Sequence, residues 1–95
     1  MIGGLKTIFV KAEHEREFES LFNELRNILR EQEPDCLLYS LLKSRASSQS
    51  YIVQEQYRDQ AAFDRHQASP HGKTYSPKMR ALIDITVEYF DVIVA

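Results

Sequence analysis

The chain has 95 residues, 43% of them hydrophobic, with a formal net charge of −2 and a pI near 5.9. That length fits one domain, expected over residues 1–95, at the small end where a partner subunit helps complete a core. The charge makes no electrostatic case for nucleic acid or an anionic membrane. No apolar run approaches a membrane span, residues 1–12 lack a cleavable leader pattern, and the single Cys36 cannot form an internal disulfide. A soluble cytoplasmic protein is therefore expected.

Residues 5–12 are rich in β-formers and predict a first strand. From Glu13 the period changes. Phe18, Leu21, Phe22, Leu25, Ile28 and Leu29 form one apolar stripe on a helix of about five turns. Glu13, Glu15 and Glu17 lie near the positive end of its dipole, and Pro34 closes it because the residue before a proline avoids helical angles.

Residues 36–43 and 51–57 predict two further strands, joined by the small polar turn 46–49 into an antiparallel hairpin. Asp59 is a good N-cap for a short helix with Ala62, Phe63 and His66 on one face. Ser69-Pro70 and Ser76-Pro77 each place a capping serine before a proline suited to the first helical position. The second pair is expected to open a separate helix with Met79, Leu82 and Ile83 on one face. Residues 85–94 predict the last strand.

The order is β-α-β-β-α-β, which implies an α+β ferredoxin-like fold with an antiparallel sheet and helices on one face. The predicted strands carry apolar residues on both sides. Leu37, Tyr39 and Leu41 oppose Leu38 and Leu42, while Ile85, Val87, Tyr89 and Ile93 oppose Phe90, Val92 and Val94. A sheet with one wet face would alternate. The second face is therefore expected to meet a second copy, giving a homodimer shaped as an α+β barrel with room for an internal pocket.

The stretch Glu55–His71 concentrates the chemistry: an acid at the end of a strand, then two of the three histidines. Histidine is the side chain whose ordinary pKa lies near neutrality, so an acid with two imidazoles could transfer protons. His66 on the inner helix face reads as a pocket base or as a helix-terminal histidine bonding a carbonyl. His71, after Pro70, reads as a second candidate that bonds backbone or the partner subunit. His14 lies among charged residues and reads as solvated. Glu55 shares a strand face with Tyr51, Val53 and Tyr57. It reads as an acid orienting a histidine or substrate, with a dimer-interface ion pair to an Arg or Lys favoured. Tyr39, Tyr51, Tyr57 and Tyr89 read as core or interface aromatics whose hydroxyls could reach a pocket, and Phe63 reads as core. Cys36 reads as a small buried hydrophobe. No metal-ligand spacing or glycine-rich phosphate loop stands out.

The chain resembles the antibiotic biosynthesis monooxygenase domain family of the dimeric α+β barrel superfamily, over nearly its whole length. The carriers are Glu55-Gln56-Tyr57-Arg58-Asp59, then Ala62, His66 and Ser69-Pro70-His71, with the strand entry Pro34-Asp35-Cys36-Leu37-Leu38-Tyr39. Asp35 stands where the family usually has glycine. The resemblance implies oxygenation of a quinol or polyphenol by dioxygen without metal, flavin or haem. His66 and His71 would be the catalytic candidates, with Glu55, Tyr51, Tyr57, Tyr39 and Phe63 around a small aromatic or small polar substrate.

Relatives on this fold leave alternatives. The S-P-H-G-K-T run ending the stretch also resembles isomerases of a phosphorylated dione, where Lys73 and Arg65 could serve the phosphate. Haem degradation uses a pocket tryptophan, which this chain lacks. A non-catalytic ligand-binding dimer is the remaining alternative.

Overall fold

A computed structural model describes residues 1–95. It places strands β1 (Ile2–Val10), β2 (Cys36–Lys43), β3 (Ser50–Tyr57) and β4 (Ile83–Asp91) in one antiparallel sheet of order β2-β3-β1-β4. Helices α1 (Glu15–Gln32), α2 (Gln60–Ala68) and α3 (Pro70–Arg80) complete the α+β ferredoxin-like arrangement.

The core lies between the sheet and α1. The apolar stripe of α1 buries Phe18, Phe22, Leu25 and Leu29 against Ile8, Val10, Tyr39, Tyr51 and Val53. Phe22 stacks on Tyr39 with ring centroids 5.0 Å apart, and Phe18 meets Tyr51 edge-on at 5.5 Å. Strand β3 alternates cleanly: Tyr51, Val53, Glu55 and Tyr57 are buried, while Ile52 is exposed.

The bounds of β1 and β4 and the division of α3 differ from the sequence expectation. Strand β1 starts at Ile2, not Leu5. Gly3 and Gly4 have little strand propensity, but β1 is central and its partners β3 and β4 both extend the ladder to Ile2. The same pairing sets β4, since Val10 opposes Ile83 and Ile2 opposes Asp91. Ile93 and Val94 then lie beyond the strand and are exposed.

Helix α3 runs unbroken through Pro77, where a second helix was expected to begin. Proline removes one backbone donor inside a helix. That loss falls on an exposed face, where water can reach the freed carbonyl. Ser76 does not cap a new helix; its Oγ accepts from Arg80 Nε at 3.3 Å. Leu82 lies in the connection and Ile83 opens β4, yet both pack against the core with Met79.

The sheet face away from the helices is mixed rather than uniformly apolar. By register it carries Leu5, Phe9, Leu38, Leu42, Ile52 and Phe90 among Thr7, Ser40, Gln54 and Glu88. A bulge between Cys36 and Leu38 lets both Cys36 and Tyr39 turn toward the helices.

Candidate active site

Glu33 ends α1. Its N–H still bonds Leu29 O at 2.9 Å, but its angles (φ −130°, ψ 72°) have left the helix, as Pro34 requires. The side chain thus projects from the helix end toward the α2–α3 junction. The β2–β3 hairpin brings that junction close, because Cys36 opposes Tyr57 and Arg58 N–H bonds Asp35 O at 3.0 Å. Asp35 adds ion pairs to Arg58 (2.9 Å) and Arg65 (3.1 Å).

The junction is held by Ser69, which ends α2 and N-caps α3. Its Oγ donates to His66 O at 2.8 Å and accepts from Gly72 N–H at 3.1 Å. A Cβ at position 72 would lie 2.8 Å from that Oγ, so glycine keeps the cap intact. This cap fixes His66, in the last turn of α2, relative to His71, in the first turn of α3.

Both histidines converge on Glu33. His66 Nδ1 lies 3.1 Å from each carboxylate oxygen, and His71 Nε2 makes a short contact with Oε2. The three side chains are only about 9–10% exposed. A carboxylate accepts only, so the hydrogen-bonded imidazole nitrogens carry the protons. His66 is thereby oriented through Nδ1, and no protein group hydrogen-bonds its Nε2.

His66 lines a cleft of about 490 Å³ between the sheet and α3, together with Lys6, Tyr39, Lys73, Arg80 and Tyr89. That size is ordinary for a small-molecule site. The His66 ring sits 5.1 Å from Tyr57 and 5.8 Å from Tyr39, centroid to centroid. A second hollow, about 460 Å³, is lined by Glu33 and His71 and includes Cys36 and Arg65.

Below the first cleft, Glu55 is fully buried. Tyr57 Oη donates to its Oε1 at 3.2 Å, and Lys6 Nζ lies 3.1 Å from Oε2. Lys6 meets that oxygen as a charge, without the alignment of a good hydrogen bond. This corrects the expected interface ion pair: the cation belongs to the same chain and the pair sits on the helix-covered face. Gly4 makes room for it. A Cβ there would come within 2.8 Å of Glu55 Cγ and 3.0 Å of Tyr89 Cδ1.

Burial, and then the Glu55 charge, pushes the Tyr39 and Tyr57 phenols well above the ordinary tyrosine range. Both stay protonated and act only as neutral phenols. Burial, and then Glu33, pushes the Cys36 thiol up to about 11, although the residue is half-buried at the second hollow rather than the buried hydrophobe expected.

The structure groups His66 with Tyr39 at the cleft, Glu55 and Tyr57 beneath it, and His71 behind it on Glu33. Phe63 meets Tyr57 and Tyr89 edge-on at 5.5 and 4.9 Å and lines a separate shallow hollow. Tyr51 lies away from this group, its hydroxyl donating to Glu15 and Glu19 at the start of α1. Burial, then Glu19, raises its pKa as well. Tyr89, read as an aromatic whose hydroxyl could reach a pocket, does line the cleft. Glu33, Lys6 and Gly4 were not among the sequence candidates. Nor was a metal-ligand set, yet Glu33, His66 and His71 bring three donor atoms within 4.8 Å of one another. Residues 33 and 38 positions apart meet only through the fold.

The sequence pattern of a family described as "Antibiotic biosynthesis monooxygenase" matches residues 1–78. No curated protein matches the chain. Among solved structures, a candidate antibiotic biosynthesis monooxygenase from Caulobacter crescentus is 28% identical with a TM-score of 0.91, over 98% of this chain and 90% of that one. A structure described as an antibiotic biosynthesis monooxygenase is 30% identical with a TM-score of 0.85, over 99% and 100% of the two chains. A mutant of SnoaB, described as a cofactor-independent oxygenase from Streptomyces nogalater, is 23% identical with a TM-score of 0.87, over 99% and 94%.

Proposed function

Because the chain belongs to the antibiotic biosynthesis monooxygenase family, we propose that it oxygenates an electron-rich hydroxyarene with dioxygen and no bound cofactor. The observation that carries this reading is the His66 imidazole, held through Nδ1 by Glu33 and lining a cleft walled by Tyr39 and Tyr89. In the reaction His66 Nε2 accepts the phenolic proton. The neutral Tyr39 hydroxyl and the Lys6 ammonium stabilise the resulting anion. That electron-rich anion passes an electron to dioxygen, the two radicals join through a new ring C–O bond, and the His66 imidazolium returns its proton to the resulting peroxide anion. The hydroperoxide then loses water as the ring C–H breaks. One oxygen atom becomes a quinone carbonyl and the other leaves as water, so the substrate supplies every electron.

The test is oxygen uptake by metal-free protein across a panel of hydroxyarenes, with isotopically labelled dioxygen to trace one atom into the quinone. Uptake with label incorporation is expected. No uptake across the panel would remove the reading.

The cleft also favours a second reading, isomerisation of a phosphorylated dione. Lys73 and Arg80 line it without ion-pair partners, whereas Arg65 is engaged by Asp35. Such an enzyme would consume no oxygen and would be stabilised by a phosphorylated sugar-like ligand.

The functional unit in either reading is a homodimer joined through the open sheet face, acting in the cytoplasm on a small aromatic or small polar substrate. Leu5, Phe9, Leu42, Ile52 and Phe90 are each 41–45% exposed on that face, which supports a partner there.

A further inference from the structure

We propose that Glu33, His66 and His71 form a binding site for a first-row divalent transition-metal cation. Three observations carry this. The donors are one carboxylate oxygen and two imidazole nitrogens, a set suited to zinc and its neighbours. They already lie within 4.8 Å of one another, with His66 Nδ1 at 3.1 Å from Glu33 and His71 in direct contact with it. A cation held at about 2.0–2.2 Å by each donor in tetrahedral geometry needs them about 3.3–3.6 Å apart, so entry of the ion would open the Glu33–histidine contacts slightly and close the widest donor pair.

The second observation is how loosely the two rings are tied elsewhere. His71 Nδ1 is buried and has no protein partner, and nothing in the protein bonds His66 Nε2. Metal-ligating histidines usually have their tautomer fixed by a partner on the far nitrogen. Here the protein supplies no such partner, and each far nitrogen is free to carry the ring's proton when a cation takes the Glu33-facing one, so no other bond is broken.

Access is the third. The 460 Å³ hollow opens onto Glu33 and His71 and supplies an entry path and space for water ligands. Asp35, also in its wall, is taken by Arg58 and Arg65 and leaves the set at two nitrogens and one carboxylate.

Binding has one consequence that rests on the oxygenase reading; the binding itself does not. A cation on His66 Nδ1 leaves that ring's proton on Nε2, the nitrogen that must accept a proton from the substrate. The metal-bound and base-competent states are therefore exclusive, and zinc should abolish oxygen uptake.

The experiment uses chelator-stripped, tag-free full-length chain titrated with Zn²⁺ by calorimetry and with Co²⁺ by visible absorption. One saturable site per chain is expected. Glu33→Gln and His71→Gln should each weaken it at least about tenfold, and His14→Gln should leave it unchanged. NMR of the wild-type protein needs no variant: Zn²⁺ should move the ring signals of His66 and His71 and leave those of His14 in place. No saturable uptake, binding indifferent to Glu33→Gln and His71→Gln, or a perturbation confined to His14 would each overturn the site. Oxygen uptake by metal-free protein is scored separately, so failure of the oxygenase reading and failure of the metal site are distinguishable.

Discussion

Glu33 and His66 are 33 positions apart, yet the carboxylate lies 3.1 Å from the imidazole Nδ1 through both of its oxygens. Neither residue moves freely. Glu33 is fixed by the helix end that Pro34 imposes, and His66 by the α2–α3 junction that Ser69 caps. A carboxylate placed this way selects the imidazole tautomer and stabilises the imidazolium that forms when the far nitrogen takes a proton.

If His66 is the base, His66→Ala should lower kcat about 10²- to 10⁴-fold, the usual contribution of a positioned proton acceptor. Glu33→Gln should lower kcat by less and leave KM nearly unchanged, because Glu33 orients the base and does not line the substrate cleft. Steady-state oxygen uptake separates the two parameters. An unchanged kcat in both variants would remove His66 from the chemistry.

Much of the fold was legible because its signals are local. The stripe from Phe18 to Leu29, the Asp59 and Ser69 caps and the alternation in β3 all act within a turn or a strand. Pro77 misled because proline is a boundary signal only where its lost hydrogen bond cannot be replaced, and exposure of that face is a tertiary fact. His66 was legible from its helix face. Glu33 was not, since a glutamate before a helix-ending proline is unremarkable by itself. One signal could have found it. A β2–β3 hairpin that pairs residue 36 with residue 57 must bring residues 33–35 beside the start of α2.

Lys6 and Glu55 form a pair whose carboxylate is wholly buried while the lysine side chain is 17% exposed. Lys6→Met leaves a buried charge with only the Tyr57 hydroxyl, and should cost about 3 kcal/mol, the lower end for breaking such a pair. Adding Glu55→Gln should recover part of that loss, because the stranded charge goes with it. Denaturant unfolding of the two single variants and the double variant measures this coupling, and additive losses would contradict it.

Gly4→Ala tests the packing around the same carboxylate. The new methyl would sit 2.8 Å from Glu55 Cγ and 3.0 Å from Tyr89 Cδ1. Glu55 is held by two partners and cannot swing away cheaply. A loss of about 1–3 kcal/mol is expected. Gly3→Ala is the control, since its methyl would meet only Val92 and Glu55 backbone at 3.5 Å or more.

The open sheet face predicts the assembly. Light scattering at micromolar concentration should give a mass twice the 11.1 kDa chain. Phe90→Asp or Ile52→Lys, both on that face, should shift the mass toward the monomer without loss of secondary structure by circular dichroism. A monomeric wild-type protein at that concentration would contradict the dimer.

The buried tyrosines predict how stability changes at high pH. Tyr57 is 0% exposed and Tyr39 4%, and burial, then the Glu55 charge, raises both phenols above their ordinary value. In the unfolded chain each would release its proton near pH ~10, while the folded chain keeps it. Above that pH the folded state binds more protons than the unfolded one, so rising pH favours unfolding. The stabilisation is therefore complete below about pH 10 and declines above it, by up to about 1.4 kcal/mol per pH unit for each tyrosine. Cys36, raised from 9.0 to about 11, adds a loss of the same sign that begins lower. Tyr57→Phe removes one titrating group. It also removes the hydrogen bond to Glu55, so its stability at neutral pH falls, but its alkaline decline should be shallower than that of the wild type. Urea midpoints measured from pH 8 to 11 compare the slopes, and parallel curves would show that Tyr57 contributes nothing to the alkaline loss.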